Sequence, residues 1–306
     1  MPWNLLLAPL ERLPAAPLED WYGRLTRRAE GLAPITQAML GGRLAASPGL
    51  AFLAGYQAAL RVLWPAAPAG LGALCASERR RVRPADLTTR LDAGLLHGGK
   101  DFVTAGAAAA WYLVAARDEA PGQTPHLTLC AVIRGAPGTR LEALPALPML
   151  ADIPHARLQF DATPAECLPG DGWDDYVKPF RSIEDLYVLM ALVAWLYGVG
   201  LDAGWPRALC LRLAGLLAAG AELARHDPKT PPGHVLLAGL FAQFDALQPA
   251  LDDAFAATPP HWASLWRRDA GLLKVAAAAR EKRLDQALQS LDWPAGAPAT
   301  AAGRSD

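Results

Sequence analysis

The chain has 306 residues, 52% of them hydrophobic, and a formal net charge of −1. Such a composition supports a sizeable core and excludes wholesale disorder. The near-zero charge excludes a global field that would recruit nucleic acid, and the length accommodates one large or two to three small domains.

The N-terminus, MPWNLLLAPLERLPAAPLEDWYGR, has no basic leading region, and its apolar run is broken by Pro9 and Glu11, so it does not read as a signal peptide. Residues 1–70 read as helical. Trp21, Leu25 and Leu32 at helical spacing predict a helix over residues 18–32, with Arg24, Arg27 and Arg28 on its outer side. Gly41-Gly42 reads as an interruption. Residues 50–64 read as a second, more buried helix that Pro65 ends.

Residues 71–175 read as β. Phe102, Val103 and Thr104 form one run and Trp111 to Val114 another, with Gly98-Gly99 as a turn signal before the first and Ala105-Gly106 as a break after it. Residues 126–133 and 155–160 add strands, separated by Gly- and Pro-containing loops. Short strands at this spacing predict a small antiparallel sandwich or barrel. Ahead of them stand Ser77-Glu78 and the basic run Arg79, Arg80, Arg81 and Arg83. Small polar groups at strand ends beside a basic patch suit a phosphate-bearing planar ligand. The competing readings are a solvated loop for the arginines and backbone-satisfied hydroxyls for Ser77 and Thr104.

Residues 176–291 read as four helices in an up-down bundle. Ser182 is read as the N-cap of a helix starting near Ile183, with Asp185 closing a capping box, and the helix runs to about Gly198. Trp205-Pro206 opens the next, to about Arg225. Pro231-Pro232 precedes residues 235–247, and Pro259-Pro260 precedes one long helix over 261–291. The uncharged run 186–201 is shorter than the roughly 20 residues of a bilayer span. It is read as a core helix, hydrophobic all round, and no membrane partner is expected. On the last helix Arg267, Arg268, Arg280, Lys282 and Arg283 form a basic face read as solvated. Residues 292–306 are low in complexity and expected to be disordered.

Cys75, Cys130, Cys167 and Cys210 are widely spaced and read as buried thiols of a reduced compartment, which gives a cytoplasmic expectation. His155, His226, His234 and His261 have no metal-ligand spacing and read as capping or surface residues, so no metal site is expected.

The stretch from Cys75 to Arg117 resembles the middle β-domain of the acyl-CoA dehydrogenases. The family's Cys/Tyr-x-Thr-Glu segment corresponds to Cys75-Ala76-Ser77-Glu78, and its Thr-containing strand to Thr88-Thr89. Its glycine hairpin corresponds to Gly94 through Lys100, and its "fiT.G" run to Phe102-Val103-Thr104-Ala105-Gly106. His155 to Asp161 is similar to the family's next strand, and Pro169-Gly170-Asp171-Gly172 to its turn into the C-terminal helices. Arg79 to Arg83 stand where the family has Gly-Ser-Asp. The likeness covers about residues 70–200.

That resemblance implies an α+β fold of acyl-CoA dehydrogenase type: a short N-terminal helical domain (1–70), a middle antiparallel β-domain (71–175) and a C-terminal four-helix bundle (176–291). It implies an FAD-dependent oxidation of an acyl-CoA or related thioester, in a homodimer or homotetramer. Ser77, Glu78, Thr104, Arg79 and Arg81 would be the cofactor-binding residues. The family's catalytic Glu loop (Tyr-Glu-Gly-Thr), its Gly-Gly-x-Gly segment and its Arg-x-x-Phe-Gly motif are absent. Some members carry the base on the first C-terminal helix, which makes Glu184 the catalytic candidate, with Asp185 beside it. Both acids also fit a plainer role as helix-start carboxylates near Arg181. The alternative function is a catalytically inactive relative that binds acyl-CoA or a partner.

Overall fold

The computed structural model describes residues 1–14 and 16–294. The chain opens with α1 (Trp3–Leu7), α2 (Leu18–Arg28), α3 (Pro34–Leu44) and α4 (Pro48–Leu63). Gly41-Gly42, read as an interruption, lies inside α3. The reason is packing: a Cβ on Gly42 would stand 2.0 Å from the Ala191 carbonyl oxygen, so glycine is what lets α3 approach the next long helix. Ser47 caps α4 by accepting the Leu50 N–H at 3.2 Å.

Eight strands follow: β1 (Gly72–Cys75), β2 (Arg90–Asp92), β3 (Leu95–Thr104), β4 (Trp111–Arg117), β5 (Leu127–Ile133), β6 (Thr139–Ala143), β7 (His155–Pro164) and β8 (Glu166–Cys167). They form one sheet in the order β6-β7-β3-β2-β4-β5-β8, with β1 paired to β4. Most pairings are antiparallel, but β1 and β2 meet β4 in parallel. Gly98-Gly99, read as a turn, lies within β3. The reversal is at Ala93-Gly94, both with positive φ, as a tight hairpin requires.

A wide turn over Gly172–Val177 leads into α5 (Lys178–Asp202), followed by α6 (Arg207–Leu223), α7 (Pro231–Asp245), α8 (Gln248–Ala256), α9 (Pro260–Asp269) and α10 (Ala277–Ser290). Ser182 is therefore not an N-cap. The cap is Asp171, whose Oδ1 accepts the Trp173 and Asp174 N–H groups at 2.9 and 2.6 Å, and α5 starts five residues before Ile183. The single helix expected over 261–291 is broken by a 3₁₀ turn at Ala270–Lys274, which contains Gly271. The expectation of a disordered tail falls mostly on residues 295–306, outside the described residues.

α5 is the axis of the helical part. By length and composition the helical run Gly172–Asp202 passes as a membrane span, but 89% of its apolar window is buried inside the protein, as a core helix requires. α3 and α4 pack along it, and Trp195, fully buried, meets Trp262 and Trp266 of α9 at ring-centroid distances of 5.8 and 6.1 Å. The thiols are not uniformly buried. Cys75 and Cys130 are, Cys210 is half-buried and Cys167 is exposed.

Candidate functional site

An open cleft of about 350 Å³ lies where the sheet meets α4, α5 and the turn after α9. That is the scale of a small-molecule site. Ser77, Phe102, Thr104 and His155 line it from the sheet, Tyr56 from α4, and Arg181 and Glu184 from α5. The structure thus brings Ser77, Thr104 and Glu184 together, although 107 positions separate the first from the last. Leu272 and Val275, on and just after the turn that breaks the last predicted helix, also line it.

The two neighbouring acids of α5 have different surroundings. Asp185 accepts hydrogen bonds from Arg280 Nη1 at 3.0 Å and Arg283 Nη2 at 2.5 Å, and so latches α10 onto α5. The basic face of the last helix is in this part an ion-pair face and not a solvated one. Glu184 has no ion pair and no hydrogen bond among the described residues. Burial, followed by the charge of Asp185, pushes it up to about 8 against the pull of Arg181. It stands in the second turn of α5 rather than at the helix start, so the helix dipole is not what governs it.

Glu78 is not in the cleft. Its carboxylate turns inward, 2.6 Å from Lys100 Nζ, and accepts from the Thr88 N–H and hydroxyl and the Thr89 N–H. The Lys100 charge and the Lys100 and Thr88 hydrogen bonds outweigh burial and hold it at about 2. Arg79 and Arg80 form the two-residue reversal between Glu78 and Arg81, both with positive φ. The Arg79 N–H donates to the Asp101 carboxylate, and Arg81 reaches Asp86 at 3.5 Å on the surface. Neither guanidinium lines the cleft.

A second chamber of about 470 Å³ adjoins the cleft and shares Val82 and Arg181 with it. Lys178 and Lys229 there are paired with Asp174 and Asp175 at 3.1 and 3.4 Å. Arg83, Arg181 and Lys282 have no carboxylate within 4 Å among the described residues, which leaves the chamber electropositive. Of the basic run singled out in the sequence, only Arg83 arrives here.

His155 is the residue that sequence reading missed. Read as a capping or surface histidine, it is only 4% exposed. It faces Thr104 across the β3–β7 pairing, and its ring lies 4.4 Å from that of Phe102. Burial lowers its pKa, offset in part by the Ile153 backbone, so the imidazole is neutral at pH 7.

A short helical N-terminus, a middle sheet and C-terminal helices with a cleft between sheet and helices define the acyl-CoA dehydrogenase fold. The chain is similar to butyryl-CoA dehydrogenase from Megasphaera elsdenii, with a TM-score of 0.62 and 12% identity over 89% of this chain and 87% of that one. It is also similar to PigA solved with FAD and proline (TM-score 0.60, 16% identity, 96% and 92% of the chains). A third similar structure is the prolyl acyl carrier protein oxidase AnaB (0.53, 15%, 90% and 83%). No protein-family model and no curated protein matches the sequence. At these identities the likeness establishes the fold.

Proposed function

We propose that this protein is an FAD-dependent oxidoreductase acting on an acyl thioester, with Glu184 as the base that takes the substrate's α-proton. The observation that carries the proposal is the unpaired carboxylate of Glu184 on the same cleft as Ser77 and Thr104. A buried carboxylate raised toward neutrality is suited to proton abstraction, because its basicity is not spent on an ion pair.

The residues present fit the ring system of FAD. The cleft offers two hydroxyls beside strand ends and the aromatic faces of Phe102 and His155. Bound there, FAD would supply the hydride acceptor. Ser77 and Thr104 would orient the ring, and Glu184 would hold the abstracted proton on its carboxylate. Tyr56 and Phe180, packed edge to face at 5.7 Å, would exclude water from the acyl chain. Arg83, Arg181 and Lys282 in the adjoining chamber would take the phosphates of the thioester's carrier arm, whether coenzyme A or a phosphopantetheinyl protein.

The test is anaerobic mixing of FAD-loaded protein with acyl-CoA and acyl-carrier-protein thioesters while flavin absorbance is followed. Bleaching that is lost in Glu184→Gln supports the reading. Bleaching that persists in Glu184→Gln removes Glu184 from the role. Flavin uptake without bleaching by any thioester favours the non-catalytic binding protein, whose support is the absence of the family's Glu loop and Arg-x-x-Phe-Gly motif.

A further inference from the structure

Arg181 stands between the two cavities and lines both. Among the described residues that line the cleft it is the one permanent cation, and Glu184, one turn further along α5, is the one carboxylate. The two do not pair. Arg181 forms no ion pair among the described residues, and its guanidinium lies over the ring of Trp173, a chamber residue, 5.4 Å from the centroid. Burial and the like charges of Arg283 and Arg83 lower its pKa against the pull of Glu184 and Asp185. Three guanidiniums gathered in this way favour an anion among them. Apart from its neighbour Asp185, no other charge bears on Glu184 in the cleft. Tyr56 of α4 and His155 of β7 are neutral at pH 7, because burial raises the phenol and lowers the imidazole. Arg280 and Arg283 of α10 are committed to Asp185.

We infer that Arg181 is a positioning residue that serves two anions in turn: with the chamber empty its charge acts on Glu184, and when a phosphate group enters the chamber the guanidinium pairs with it and frees the carboxylate to act as a stronger base. The inference rests on the reading of Glu184 as the base and of the chamber as the phosphate site, and it adds the link between them. A guanidinium forks bidentately onto phosphate, and the pair so formed presents little net charge to a carboxylate behind it. The charge of Arg181 is what opposes burial and Asp185 in setting the titration of Glu184, so its diversion lets Glu184 hold a proton to higher pH. Coupling of this kind is reciprocal. The phosphate binds more tightly while Glu184 is protonated, and its binding takes up a proton wherever Glu184 is titrating. In the reaction, the remote end of the substrate would bring the base to full strength only once it is seated.

The experiment uses flavin-free full-length protein and no thioester, so its outcome does not depend on turnover. Two ligands are titrated calorimetrically: adenosine 3′,5′-bisphosphate, the nucleotide end of coenzyme A, and 4′-phosphopantothenate, a thiol-free form of the carrier arm. The range is about pH 7.5 to about 9.5, above the phosphate pKa of about 6. Buffers of different ionisation enthalpy give the protons taken up per ligand bound. His234 in the chamber is neutral over that range, because burial and the charges of Arg283 and Lys178 lower its pKa. Lysine titration at the upper end is common to parent and variants and cancels between them. Relative to Glu184→Gln, the parent should lose about 5- to 10-fold in affinity across the range, with proton uptake greatest near pH 8. Arg181→Gln should bind more weakly throughout and lose the uptake, and Arg181→Lys, which keeps the charge, should restore part of both. Uptake with the bisphosphate alone assigns the chamber to coenzyme A, and uptake with phosphopantothenate alone assigns it to the arm shared with carrier proteins; either supports the coupling. Binding without uptake in the parent overturns the coupling and leaves Glu184 as the base. Uptake undiminished in Arg181→Gln shows the phosphate acting on Glu184 directly and overturns the role of Arg181. Binding of neither ligand overturns the phosphate reading of the chamber together with this inference, while the bleaching test of Glu184 stands apart from it.

Discussion

Glu184 and Asp185 are consecutive residues on one helix, and only Asp185 is paired: two guanidiniums of α10 hold it, while Glu184 faces the cleft without a partner. Their substitution should separate stability from function. Asp185→Asn leaves Arg280 and Arg283 largely buried without their counter-charge and should cost about 3 kcal/mol, since breaking a buried pair exposes an uncompensated charge. Glu184→Gln removes no ion pair and should not lower the urea midpoint at neutral pH, where the parent already carries most of the cost of keeping Glu184 protonated, while abolishing any thioester-dependent bleaching. Equal destabilisation of the two variants would contradict the pairing described here.

The raised pKa of Glu184 also has a linkage consequence. The folded state holds its proton up to about 8, whereas an unfolded glutamate releases it near 4.5. Between those values the folded chain binds the extra proton, so the contribution is fully present below pH 4.5 and is lost as pH rises through 8. Unfolding of the parent and of Glu184→Gln at pH 5 and pH 9 should show the parent losing stability relative to the variant at the higher pH. If Glu184 is the base, kcat/KM should rise over the same window, because only the ionised carboxylate accepts a proton.

Glu78 titrates in the opposite sense. Held at about 2 by Lys100 and the Thr88 donors, it contributes stability that is present above pH 4.5 and lost as pH falls through 2. Lys100 is fully buried, so Lys100→Met should cost about 3–5 kcal/mol by leaving the Glu78 carboxylate without its charge partner. The double variant Lys100→Met/Glu78→Gln should recover part of that loss, and simple additivity of the two single effects would show that they do not act as a pair.

That Ser77 and Thr104 lie on one cleft was legible from the resemblance of the segments that carry them, and the long core helix was legible because its apolar run has no polar face. Residues whose role depends on distant pairing were not. His155 becomes a cleft residue only through the β3–β7 register, which no local pattern around it encodes. The start of α5 was misread because Ser182 and Asp185 imitate a capping box. The operative cap, Asp171, precedes a wide turn that shifts the helix start and carries Glu184 away from it. The arginine run read as a phosphate site because of its composition, but its first two members form a backbone reversal that points them outward. Arg280 and Arg283 read as solvated because the carboxylate that claims them lies 95 and 98 positions away.

The same kind of distant pairing joins two cysteines that looked isolated. Cys130 of β5 and Cys167 of β8 are register partners. The next pair along, Leu129 and Leu168, is joined by the Leu168 N–H to the Leu129 carbonyl at 2.8 Å, so Cys130 and Cys167 occupy a non-hydrogen-bonded site of the ladder. There the Cα atoms of an antiparallel pair stand about 4.5 Å apart with side chains on one face, inside the range a disulfide spans. Cys167 is exposed and open to attack, whereas burial pushes the Cys130 thiol up, so Cys167 should react first. With glutathione disulfide as oxidant, Cys167 would release one glutathione to give a mixed disulfide. Cys130 would then displace the second, the two protein thiols losing two hydrogens and two electrons to the glutathione pair. Intact-mass analysis and thiol counting should show an intramolecular bond, with slow closure because the resolving thiol is protonated. A glutathione adduct on Cys167 that persists, with Cys130 still free, would show that the two side chains do not meet. Cys167→Ser should abolish the reaction at both positions, whereas Cys130→Ser should trap the adduct.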